Sequence, residues 1–265
     1  MPVITVNGKS VHIQELNKGA AETIILVHGM FSNLSVYYFN IAPLLATKYH
    51  VVLYDLKSHG MSEKTLFGYD LESMTNDLLE LMKELNLQKV HLGGYSFGGL
   101  IALKMAIRFP ERINKLAVIE APDPNDDKTR GIIDEYSREF LEHYVENFTD
   151  TTKVKMGKRQ MERNHRMYEY LFYQTSIKTD MELEKDFFGS PAIRTIKKST
   201  LLLYGTDSNC LNAGKHLDRM IENADLIAVP GDHNIPIQQP LVIAETLLNF
   251  FKKNKIKHRW QNSFL

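Results

Sequence analysis

Short, wholly apolar runs recur along this chain, each separated from the next by a stretch with helical spacing. Thr23–Val27 and Val51–Tyr54 are continuous apolar segments, the pattern of strands buried on both faces of a parallel sheet. Before them, Val3–Val6 and Val11–Leu16 flank Asn7-Gly8-Lys9-Ser10, and Asn-Gly between alternating apolar positions predicts a hairpin. Ser35 to Thr47 carries Tyr38, Ile41, Leu44 and Leu45 and is expected to be helical. Asp70 to Leu85 places Leu71, Met74, Leu78, Leu79, Met82 and Leu85 on one face, an amphipathic helix. A short run at Val90-His91-Leu92 then precedes an Ala/Leu-rich helical segment reaching about Arg108, and Pro110 marks its end. Leu116–Glu120 is the next expected strand.

From Ala121 to about Lys198 the rhythm changes. Two or three helical patterns carry many aromatics, among them Tyr136, Phe140, Tyr144, Phe148, Tyr168, Tyr170, Phe172 and Tyr173. Buried-strand pattern returns only at Thr200–Tyr204, followed by a strand-like run at Leu226–Val229 and a final helix at about Leu241–Lys252. Strands alternating with helices predict an α/β fold, a doubly wound and mostly parallel sheet. Residues 1–265 read as a single domain, with 121–198 expected as a helical cap inserted between core strands. The tail from Asn254 to Leu265 is basic and holds Trp260.

Composition changes this picture little. The 265 residues are 43% hydrophobic and 24% charged, and the 32 basic and 32 acidic side chains balance. Global charge therefore suggests no nucleic-acid partner. The single cysteine, Cys210, excludes an intramolecular disulfide and fits a reducing compartment. No basic-then-apolar leader is evident at the N-terminus, and no apolar run is long enough to span a membrane. A cytoplasmic protein without membrane partners is the expectation.

Candidate chemistry begins at Gly94-Tyr95-Ser96-Phe97-Gly98. A strand before this segment and a helix after it form the context of a G-x-S-x-G turn, which holds a serine hydroxyl exposed at a strand end. The plain alternative is a glycine-rich turn whose serine caps a helix. No paired-cysteine or His-x-x-x-His spacing and no phosphate-binding Gly-rich loop is present, so neither metal nor cofactor is expected.

The order of parts resembles the α/β-hydrolase family over nearly the whole chain. The resemblance is carried by His28-Gly29-Met30, Asp55 to Ser62, Gly94 to Gly98, Gly205-Thr206-Asp207-Ser208 and Gly231-Asp232-His233. It implies a catalytic triad in the chain order serine, acid, histidine, with Ser96 as nucleophile and His233 as base. It further implies that the backbone N–H groups of Met30 and Phe97 form the oxyanion hole. His28 is expected to brace that loop.

At the acid, this sequence departs from the common pattern. Most members carry Asp at the position of Ser208, and Asp207 lies one residue early. A subset of the family places the acid at the end of the preceding strand, the position of Glu120. Glu120 is preferred and Asp207 is the alternative, on the logic that a buried carboxylate needs a partner and that an acid must hold the imidazole tautomer.

The expected activity is cleavage of a carboxylic ester or thioester with an apolar acyl part, through an acyl-enzyme on Ser96. C–C bond hydrolysis, a lyase reaction on the same residues, or a non-hydrolytic ligand-binding role are the alternatives. Lys153, Lys155, Lys158, Arg159, Arg163 and Arg166 form a basic stretch in the expected cap. It reads first as a solvated helix face, and alternatively as a docking surface for coenzyme A or a carrier-protein thioester.

Overall fold

A computed structural model of the chain describes residues 2–126 and 158–252. Eight strands form one sheet in the order β1-β2-β4-β3-β5-β6-β7-β8. They are β1 (Val3–Val6), β2 (Lys9–Leu16), β3 (Thr23–Val27), β4 (His50–Tyr54), β5 (Val90–Tyr95), β6 (Ile113–Ile119), β7 (Thr200–Gly205) and β8 (Ala224–Val229). The β1–β2 and β2–β4 pairs are antiparallel, and the other pairs are parallel. The first hairpin turns on Asn7-Gly8 alone, with Val6 paired to Lys9. Both turn residues have positive φ, which explains the Asn-Gly pair.

The sheet separates two apolar layers, and the strands feed both by alternation. In β3, Ile25 and Val27 pack on one side with Leu78, Leu103 and Leu217. Ile24 and Leu26 pack on the other with Tyr37, Ile41 and Leu247. Helices α3 (Leu71–Glu84), α4 (Phe97–Arg108) and α7 (Leu211–Met220) cover the first face. The short α1 (Ser35–Tyr38) and α2 (Ala42–Leu45), with α9 (Pro240–Lys252), cover the second. Asp70 caps α3, its carboxylate accepting from Ser73 N–H at 2.8 Å.

One expectation needs correction, and one helix was not expected. The helix expected from Ser35 to Thr47 is two helices, because Pro43 carries no N–H and sits in the first turn of a new one. Helix α7 is an element the apolar pattern does not flag, since Gly214 interrupts its buried face. A Cβ there would lie 2.6 Å from the Tyr204 ring, so helix and strand pack closely only with glycine.

Between β6 and β7 the described residues form α5 (Lys158–Gln174), α6 (Ile177–Leu183) and a 3-10 turn at Pro191–Thr195. Leu171 and Ile177 are buried with Phe31 and Tyr69, and Met30, Tyr168, Tyr170 and Phe172 pack around them. The remaining helix, α8 (Ile235–Gln238), follows β8. Tyr136, Phe140, Tyr144, Phe148, Lys153, Lys155 and the tail with Trp260 lie outside the described residues. Among the described residues, no helix is long and apolar enough to cross a membrane.

Candidate active site

In a doubly wound sheet the loops after two adjacent strands part where the strand order reverses. That point lies between β3, which pairs with β4 on one side, and β5 on the other. The loop after β3 begins at His28, and the turn after β5 holds Ser96.

Ser96 sits at φ 54°, ψ −120°, a region that L-residues rarely adopt. The strain is enforced by contacts that only glycine permits. A Cβ on Gly94 would lie 2.1 Å from the Gly98 carbonyl oxygen, and one on Gly98 would lie 2.3 Å from that of Val27. Both neighbours are backbone, so neither can yield. The turn lifts Ser96 into a half-buried position at the N-terminus of α4.

His233 lies on the loop between β8 and α8. Its Nε2 is 3.0 Å from Ser96 Oγ, and its Nδ1 is 3.1 Å from Glu120 Oε2. A carboxylate only accepts, so the Nδ1 carries the proton and Nε2 is left to accept from Ser96. Tyr95, the residue before the turn, donates its hydroxyl to the His233 carbonyl at 3.0 Å and lays its ring 5.3 Å from the imidazole.

Glu120 is the first residue after β6, fully buried and at φ 53°. Its Oε1 accepts from Gly205 N–H. Its Oε2 accepts from Ser208 Oγ–H as well as from His233. Ser208 Oγ in turn accepts from Cys210 N–H at 3.0 Å, which directs the hydroxyl hydrogen toward the carboxylate. Three donors thus replace the water that burial removes. Asp207, by contrast, is exposed. Its Oδ2 takes a hydrogen bond from Thr206 Oγ1 at 3.3 Å, and its backbone N–H holds Gly231 O at 2.9 Å.

The loop bearing Met30 passes directly beside Ser96. A Cβ on Gly29 would lie 2.9 Å from Ser96 Cβ. His28 is fully buried and accepts the Leu56 N–H on Nε2 at 3.0 Å. Its Nδ1–H therefore donates to Gly29 O at 2.7 Å, ahead of Met30. Burial lowers the His28 pKa, consistent with this neutral tautomer. Phe97 opens α4, so its N–H is one of those a helix leaves without an intrahelical acceptor.

The structure therefore brings Ser96, His233 and Glu120 into one hydrogen-bonded line, with the Met30 loop beside Ser96, and leaves Asp207 out. Sequence reasoning missed Ser208, Cys210 and Tyr95 as neighbours of this line. Only Ser208 had a signal, standing where an acid is the common residue.

A model of the family described as the alpha/beta hydrolase fold matches residues 22–171, more than half of the chain. The chain belongs to the α/β-hydrolase family. Among curated proteins this chain is 33% identical, over 132 residues, to the dihydrolipoyllysine-residue acetyltransferase component of the acetoin cleaving system from Cupriavidus necator. That match covers 48% of this chain and 35% of the other, so the chain spans about a third of the length of such relatives. Two solved structures share the fold. An enol-lactonase from Burkholderia xenovorans LB400 superposes with a TM-score of 0.72 at 22% identity, covering 95% of this chain and 100% of that one. A thermophilic esterase from Thermogutta terrifontis gives 0.74 at 18% identity, covering 95% and 98%.

Proposed function

We propose that this α/β-hydrolase cleaves a carboxylic ester or thioester through an acyl-enzyme on Ser96. The observation that carries the reading is the line from Ser96 Oγ to His233 Nε2 and from His233 Nδ1 to Glu120. A serine hydroxyl is a weak nucleophile unless a base takes its proton as it attacks. His233 is that base, Glu120 holds the tautomer and balances the imidazolium, and neither group need move. The oxyanion that develops on the carbonyl would be met by the Met30 and Phe97 N–H groups. His233 then returns the proton to the leaving alcohol or thiol, and water repeats the sequence to release the acid.

The acyl part is assigned as apolar. Residues 121–198 act in this reading as a cap, whose described part packs Tyr168 and Phe172 5.9 Å from the Phe31 ring, next to Met30. Arg163 and Arg166 on the same helix are exposed and are read as a solvated face. A docked coenzyme A thioester is the outcome that would reassign them.

The test is labelling of Ser96 by a fluorophosphonate probe, with turnover of p-nitrophenyl acyl esters of increasing chain length compared against acyl-CoA. Labelling at Ser96 that is lost in His233→Ala, with ester turnover, is the expected result. No labelling and no turnover of either substrate class would sink the reading.

A further inference from the structure

Behind the imidazole, on the side away from Ser96, a third type of donor approaches His233. Cys210 Sγ lies 3.5 Å from His233 Nδ1, and Glu120 Oε2 lies 3.1 Å from the same nitrogen. Among the described residues, these side chains form a group of three potential ligands whose donor atoms all lie within 4.8 Å of one another. They arrive from three separate elements: the end of β6, the start of α7 and the loop after β8. With bonds of about 2.3 Å to sulfur and about 2.0 Å to nitrogen and oxygen, a tetrahedral zinc ion sets N···S at about 3.5 Å and N···O at about 3.3 Å. The Cys210 and Glu120 separations from His233 Nδ1 already stand close to those edges.

We propose that Glu120 Oε2, Cys210 Sγ and His233 Nδ1 form a binding site for a thiophilic divalent cation of the zinc class, and that occupancy silences Ser96. Charge favours the buried position. The Glu120 carboxylate and a Cys210 thiolate neutralise a dication, so no net charge is left in a region where both residues are buried. Burial and the Glu120 carboxylate push the thiol pKa up, so the cation itself displaces the proton, as a coordinating metal does. Cys210 is also the N-cap of α7, where the helix dipole favours a thiolate. Gly205 N–H and Ser208 Oγ–H keep Glu120 oriented throughout.

On binding, the thiol proton leaves to solvent, and the metal takes the Nδ1 lone pair, which the neutral ring frees only by carrying its proton on Nε2. In that tautomer the nitrogen facing Ser96 is a donor and cannot take the hydroxyl proton. Silencing rests on the serine-hydrolase reading above, whereas cation binding does not.

The experiment uses the full chain, stripped of metal, and titrates Co2+ as a spectroscopic stand-in while Zn2+ is scored by Ser96 labelling. Expected are a thiolate-to-cobalt charge-transfer band in the wild type that Cys210→Ala lacks, and labelling slowed by Zn2+ by roughly 10²-fold, the scale of a lost general base. A chelator should restore it, and labelling of Cys210→Ala should run at the same rate with Zn2+ as without it. Absence of the band in the wild type, or equal zinc sensitivity in Cys210→Ala, would overturn the site. Should circular dichroism show Cys210→Ala unfolded, Cys210→Ser replaces it with the same expectation for the band. If the metal-free wild type is not labelled, the hydrolase reading fails on its own, and the cobalt titration still decides the site.

Discussion

Ser208 Oγ donates to the same oxygen of Glu120 that receives the His233 Nδ1 proton. The hydroxyl stands one residue beyond the exposed Asp207, and with His233 it gives Glu120 Oε2 two donors. Its hydrogen is aimed there because a carboxylate only accepts, while the hydroxyl oxygen itself accepts from Cys210 N–H.

Removing that donor weakens the hold on Glu120 without removing it. Ser208→Ala is expected to lower kcat/KM for a p-nitrophenyl ester a little over ten-fold, since a hydrogen bond to a charged group contributes about 1.5 kcal/mol or more. Ser208→Thr keeps the hydroxyl and should retain most of the activity. Equal losses in both variants would assign the effect to packing instead.

The choice of acid is open to direct measurement. Glu120→Ala should cost about 10⁴-fold in kcat, the scale seen when a triad acid no longer sets the imidazole tautomer. Asp207→Ala changes an exposed turn residue and should stay within about two-fold. Because Ser208 Oγ already reaches Glu120 Oε2, the double variant Glu120→Ala/Ser208→Asp is expected to recover part of the lost rate.

The strained turn around Ser96 makes a stability prediction. In Gly98→Ala the new methyl would meet Val27 O at 2.3 Å and His28 O at 2.6 Å, both held in or beside the central strand. A loss of about 4 kcal/mol is expected, read as a fall in Tm of roughly 10 °C. Gly19→Ala, where nothing lies within 4 Å, is the control and should leave Tm unchanged.

Acid should unfold the protein partly through His59. It is buried beside His28, with Nδ1 bonded to Lys57 O at 2.8 Å and Nε2 without a hydrogen-bond partner. Burial, with His28 adding to it, pushes its pKa from 6.5 down to about 3. The folded value is depressed, so between these limits the unfolded chain binds a proton that the folded chain refuses. Stability is whole above pH 6.5 and falls by about 1.4 kcal/mol per pH unit below it on account of this residue. Urea unfolding from pH 7 to 4 measures the slope, and His59→Asn should flatten it. An unchanged slope would remove His59 from the account.

Much of this molecule was legible locally. The central strands announce themselves because burial on both faces demands uninterrupted apolar runs, as in Thr23–Val27. The start of α3 is written in Asp70, and the Ser96 turn in glycines whose missing Cβ atoms leave room for backbone. Strand β6 was legible only in its second half, because Asn114 and Lys115 are half-buried near its start and interrupt the apolar pattern. Helices α1 and α2 read as one because periodicity weighs side chains, whereas Pro43 acts through a missing N–H.

The site itself divides the same way. Sequence alone determined the fold family and the turn that exposes Ser96, since both depend on residues close together in the chain. Its choice between Glu120 and Asp207 rested on role and resemblance. Only the tertiary structure decided which carboxylate stands behind His233. Residues 113 apart meet there because β6 lies inside the sheet, one strand away from β8, and ends under the loop that follows β8. A one-residue offset turns Asp207 to solvent and puts Ser208 in its place. The offset is written in Gly205-Thr206-Asp207-Ser208, but its consequence depends on how two loops pack against each other.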